Sequence, residues 1–95
     1  MSTNRLLTIV QTTKFKRDIK QLKERGAAID QLLQVVELIV NGVPLPEKYK
    51  NHKLKGMSIP IMECHIKPDW LLLYSINAKQ GILYLIGTGT HSDLF

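Results

Sequence analysis

Three histidines, His52, His65 and His91, stand in the second half of a 95-residue chain, with an aspartate, Asp69, between the last two. Imidazole gives and takes protons near neutral pH, with an ordinary pKa of about 6.5. The chain carries 13 Lys and Arg against 8 Asp and Glu, a formal net charge of +5, and its pI of about 9.5 points to an anionic partner. Several histidines in one basic chain suit cleavage of an RNA backbone. Attack of a ribose 2′-OH on the neighbouring phosphate needs a base for the hydroxyl proton, cations for the phosphorane and an acid for the leaving 5′ oxygen. That route requires neither metal nor cofactor. The plainer readings stay open for each residue. His52 lies in a lysine-rich stretch and reads as solvated; His91 follows Gly-Thr-Gly-Thr and reads as tail; Asp69, after Pro68, reads as a turn former; Trp70 reads as core. Cys64 alternates with Met62 and Ile66, which makes it a small buried residue rather than a nucleophile.

The elements that must position these side chains follow from the apolar pattern. Leu6, Leu7, Ile9 and Val10 open a first strand that ends near Thr12 and Thr13, which are candidate N-caps. Phe15, Ile19 and Leu22 recur at helical spacing with lysines and Arg17 between them, and Gly26 suits the helix end. Ile29, Leu32, Leu33, Val36, Ile39 and Val40 make a second amphipathic helix that stops at Asn41-Gly42, with Pro44 and Pro46 beyond. Residues 43 to 58 show little periodicity and read as a long basic loop carrying His52. Met62, Cys64 and Ile66 alternate with Glu63, His65 and Lys67 in a half-buried strand, and Pro68-Asp69 makes a tight turn. Trp70 to Ile76, apolar on both sides, is a central strand, and Ile82 to Ile86 is the last. The expected fold is α+β: a helical hairpin on one face of a four-stranded, mainly antiparallel sheet in the order β-α-α-β-β-β, the other face open and carrying His65.

One domain is expected over residues 1 to 95, with no room for a second core. The longest apolar runs fall far short of the roughly 18 residues that spanning a bilayer requires, so no membrane partner is expected. A single cysteine and the lack of an apolar signal core point to the cytoplasm. There is no Walker A loop, no Gly-x-Gly-x-x-Gly, no Cys-x-x-Cys and no His-Glu-x-x-His, which argues against the common cofactor enzymes. Zinc held by three histidines and an aspartate is a legitimate set, but the separations fit no compact metal motif.

The runs His52-Lys-Leu-Lys-Gly56, Glu63-Cys-His65-Ile-Lys-Pro-Asp69-Trp70-Leu-Leu-Leu-Tyr74 and Thr88-Gly-Thr-His91-Ser-Asp-Leu-Phe95 resemble the YafQ branch of the RelE family of bacterial toxins. The resemblance covers the chain from the first strand to the last residue. It implies ribosome-dependent cleavage of mRNA in the decoding site, no cofactor, and neutralisation by an acidic, DinJ-like antitoxin. Carried over position by position, it makes His52, His65, Asp69 and His91 catalytic, with His91 and Asp69 as the main acid-base pair. Lys50, Lys53 and Lys55 would hold the RNA backbone, and Trp70 and Phe95 would shape the site or place the RNA. The chain departs from the family pattern at Pro60, Met62 and Gly87, the last two commonly arginines in the family. An arginine at position 87 would be expected to reach the phosphate, and one at 62 to face the helices. The competing reading is a non-catalytic, ParE-like toxin that binds a topoisomerase and has no need of the histidines.

Overall fold

The computed structural model describes residues 6–95, so the first five residues of the expected 1–95 domain lie outside the described residues. Thr8–Gln11 form β1. Thr12 ends this strand and caps a helix: its hydroxyl accepts the Phe15 N–H at 3.0 Å and donates to the Ile86 carbonyl at 2.9 Å. The cap satisfies one of the orphan donors of helix α1, Thr13–Glu24, and fixes where the helix leaves the sheet. α1 buries Phe15 and Leu22, and Gly26, at φ +83°, turns the chain back. Helix α2, Ile29–Val40, buries Leu32, Val35, Val36, Ile39 and Val40. Its buried stripe is rotated from the expected one, with Leu33 exposed and Val35 buried. A step of about 100° per residue carries Leu33 to the rim of the face that Leu32, Val36 and Ile39 define.

The stretch expected to be irregular is partly ordered. Glu47–Tyr49 make one 3-10 turn, Lys50 takes left-handed backbone at φ +48°, and His52–Lys53 form a short strand, β2. β3 is Met62–Lys67, β4 is Trp70–Asn77 and β5 is Ile82–Gly89. The sheet therefore has five strands rather than four, in the order β1-β5-β4-β3-β2, with β1 parallel to β5 and every other pair antiparallel. Two residues are too few to show a period, which is why β2 leaves no trace in the apolar pattern. β4 holds the central place that its two apolar sides demand. The segment expected to be tail is a single helical turn, α3, His91–Leu94.

Both helices lie on one face, where Phe15, Leu32 and Val36 meet Cys64, Leu72 and Leu83. The other face is not bare. Leu71 and Leu73 alternate with Leu72 and Tyr74 and are buried as well; α3 packs on β5, and the Ser75 hydroxyl donates to the Pro60 carbonyl at 2.6 Å. Each fully buried leucine contributes about 1.5–3 kcal/mol. Leu71, Leu72 and Leu83 lie in β4 and β5 with no exposure at all, so these two strands anchor the frame that presents the histidines. Among the described residues no helix is long and apolar enough to cross a membrane.

Candidate active site

Alternation along β3 turns Cys64 toward the helices and Glu63 and His65 to the opposite face. Cys64 is fully buried, and burial, with the Glu63 charge as a lesser cause, pushes its thiol up to about 12, which suits packing and not attack. β2 pairs His52 with Glu63, and the Glu63 carboxylate, itself buried, lies 3.1 Å from His52 Nε2 and 4.0 Å from His65 Nε2. The other nitrogen of each ring faces a carbonyl: His52 Nδ1 is 2.8 Å from the Lys50 oxygen, and His65 Nδ1 is 3.3 Å from that of Pro68. His52 thus has an acceptor within 3.1 Å of each ring nitrogen, and His65 has one beside Nδ1, with Glu63 farther off at 4.0 Å from its Nε2. Ring centroids are 6.5 Å apart between His52 and His65, 6.5 Å between His65 and His91, and 5.8 Å between His91 and Phe95. Three imidazoles and a phenyl ring thus form one row. Among the described residues no protein group hydrogen-bonds the His91 ring, which leaves both its nitrogens for a substrate.

His91 is held by its backbone. Thr90 accepts the Asp93 N–H, the Asp93 carboxylate accepts the Thr90 N–H at 2.9 Å, and together they box the start of α3. Arg25, at the end of α1, donates to both Asp93 oxygens at 2.9 and 3.4 Å. The Arg25 guanidinium, then the Thr90 N–H, hold the Asp93 carboxyl down to about 2. Just upstream, Thr88 accepts the indole N–H of Trp70 at 2.9 Å and donates to the Leu71 carbonyl at 2.7 Å, while its N–H donates to Asp18. At the opposite end, Asn51 accepts the Tyr74 hydroxyl at 2.7 Å. Burial pushes that phenol up to about 12, so Tyr74 remains a donor to the residue next to His52.

Of the expected site residues, the structure joins His52, His65, His91 and Phe95. Asp69 is exposed in the β3–β4 turn, lines a separate cleft with Arg25, Lys67 and Thr90, and makes no hydrogen bond or ion pair with a histidine among the described residues. Trp70 is buried in the core with its indole N–H taken by Thr88, a place from which it shapes the site by fixing β5 rather than by stacking on a base. Lys50, Lys53 and Lys55 are all exposed along the segment that carries His52. Glu63 is the functional residue that sequence reasoning missed, although its place two residues before His65 on an alternating strand was the signal. Gly87 is buried, and a Cβ there would meet Asp18, Lys14 and Leu94 at 3.2–3.3 Å, so an arginine side chain would enter beside the Lys14–Asp18 pair. Met62 packs against the helix-side core as alternation requires.

Among the described residues no three His, Cys, Asp or Glu side chains lie close enough together to hold a metal ion. Residues 7–95 match the family described as bacterial toxin of type II toxin-antitoxin system, YafQ. The class that fold and site define is therefore the toxin of a type II toxin-antitoxin system. The mRNA interferase toxin YafQ of Escherichia coli (strain K12) is 34% identical over 82 residues, 85% of this chain and 87% of that protein. A metal-bound toxin from Helicobacter pylori superposes with a TM-score of 0.90 at 43% identity, over 94% of this chain and 99% of the other. The toxin in the E. coli DinJ-YafQ complex follows at 0.87 and 31%, over 95% and 98%. This chain belongs to the YafQ family, and by that class it is an endoribonuclease.

Proposed function

We propose that this toxin, acting as one domain in the cytoplasm, stops translation by cutting mRNA in the decoding site of the ribosome. The observation that carries the reading is the row of three imidazoles over one buried carboxylate on a chain of net charge +5. In the proposed reaction a 2′-OH loses its proton to a base and its oxygen bonds to the adjacent phosphorus. The bond from phosphorus to the 5′ oxygen breaks, and that oxygen takes a proton from an acid. The products are a 2′,3′-cyclic phosphate and a 5′-OH. His91, with both nitrogens unengaged, suits proton transfer; His52 and His65, oriented by Glu63, suit charge stabilisation on the phosphorane or the second proton transfer. Lys50, Lys53 and Lys55 would follow the RNA backbone and Phe95 would stack on a base beside His91. Asp69 enters only if bound RNA brings its turn to the row.

The ribosome has a physical reason to take part. A domain this small offers little surface to orient a flexible strand, and alignment of the reacting atoms is a large part of the barrier. Purified protein should cut mRNA on programmed ribosomes and leave naked mRNA intact, with cyclic or 3′ phosphate ends. Equal cutting of naked mRNA removes the ribosome from the reading; growth arrest that survives loss of all three histidines replaces it with a binding toxin. For the antitoxin, the DinJ-YafQ complex of the E. coli relative supports a DinJ-like partner, and the chain's net charge of +5 favours an acidic one. Such a partner should copurify at moderate salt and silence cleavage.

A further inference from the structure

Beside the histidine row lies a cleft of about 560 Å³. Its walls come from three elements. Gln31 and Gln34, three apart and so on one face of α2, form one wall; Lys48 and Lys50 form the second; His65 and Lys67, from β3, form the third. His65 thus belongs to both the row and the cleft. Lys50 joins them a second time, because it lines the cleft while its carbonyl faces the His52 ring. It does so from left-handed backbone, φ +48° and ψ +47°, which a lysine adopts only at a cost that its surroundings must offset.

We infer that this cleft is a subsite for one nucleotide of the RNA strand beside the scissile phosphate, an inference that rests on the RNA-cleaving reading. The volume suits a single nucleotide rather than a helix or a folded partner. Primary amides present a donor and an acceptor side by side, the pattern that reads the edge of an unstacked base. Lys48, Lys50 and Lys67 supply cations for the flanking phosphates. An acidic peptide fits the lysines alone and leaves the paired amides without a base edge to read.

Cleavage sites should be mapped over a mixed mRNA pool on programmed ribosomes for the wild type, for Gln31→Ala with Gln34→Ala, and for Lys48→Ala. In parallel, labelled protein should be titrated with a short RNA carrying a 2′-deoxy residue at the cleavage position. The paired glutamine variant should lose about tenfold in preference at one nucleotide neighbouring the cut. Lys48→Ala should weaken cleavage across all sequences alike. The deoxy-substituted RNA should move the side-chain amide signals of Gln31 and Gln34 together with His65. An unchanged preference in a glutamine variant that melts normally overturns the subsite, as do signal changes confined to the histidines. Loss of antitoxin copurification with cleavage preference intact reassigns the cleft to the antitoxin. A wild type that cuts nothing while the glutamine signals still move overturns the cleavage reading and leaves the nucleotide site.

Discussion

The two ends of the histidine row are gripped in different ways. His91 sits on a capped helical turn whose carboxylate, Asp93, is clasped by an arginine from another helix; the Arg25 side chain is 52% exposed and that of Asp93 26%. His52 rides on a two-residue strand at the sheet edge, and its partner carboxylate, Glu63, is 7% exposed. One end relies on an ion pair that water and salt reach, the other on a charge enclosed by protein. Exposed pairs are weak and screened, whereas a buried carboxylate that loses its partners is costly. The difference predicts that salt disturbs the His91 end of the row more than the His52 end, although the rings are evenly spaced.

Substitutions can break that contrast, and the largest effect belongs to the ring itself. His91→Ala should lower cleavage by about a hundredfold or more, the lower range for a general acid or base, with melting within a few degrees of wild type. Glu63→Gln should lower cleavage by about tenfold. It should shift the ring resonances of His52 and leave those of His91 in place; equal movement at both ends would mean that the row is one coupled unit. Arg25→Ala should reverse the pattern, disturbing His91 alone and lowering cleavage by about threefold to tenfold. Arg25→Lys should restore part of the loss, and molar salt should shift the His91 signals of the wild type more than those of His52.

Acid separates the ends further. The Asp93 carboxyl is held at about 2, below its ordinary 3.8, so its contribution to stability is complete above the ordinary value and is lost as pH falls toward the lowered one. Melting temperature followed from pH 5 down to about pH 2 should therefore fall less steeply in Asp93→Asn than in the wild type. The smallest effect is expected at Cys64. Cys64→Ser should change cleavage by less than about threefold, and the native thiol should resist thiol reagents until the protein unfolds.

Sequence and structure agree where a period is long enough to read. Phe15, Ile19 and Leu22 mark α1, and Met62, Cys64 and Ile66 mark β3, because burial on one face imposes the repeat of the element. β2 has no such repeat, and the pairing of His52 with Glu63 is decided by the neighbouring strand. The clasp between Arg25 and Asp93 joins residues 68 positions apart, so no local pattern announces it. Histidines can be singled out by type alone, but which carboxylate serves them is a question of side-chain direction. There alternation favours Glu63, whereas Asp69 enters through the family resemblance alone.

The parallel pairing of the first strand with the fifth bears on how the toxin is made. β5 lies between β1 and β4, and the Thr12 hydroxyl reaches the Ile86 carbonyl 74 positions onward. Until residues 82–89 are made, β1 has no strand to join and β4 is paired on one side only, with β3. Pairings this distant in sequence form late. A product truncated before residue 82 lacks the strand that joins β1 to the rest of the sheet, together with Thr88 and the whole of α3 with His91. A chain cut short there has neither the five-stranded sheet nor the third imidazole, so the row is complete only in finished chains.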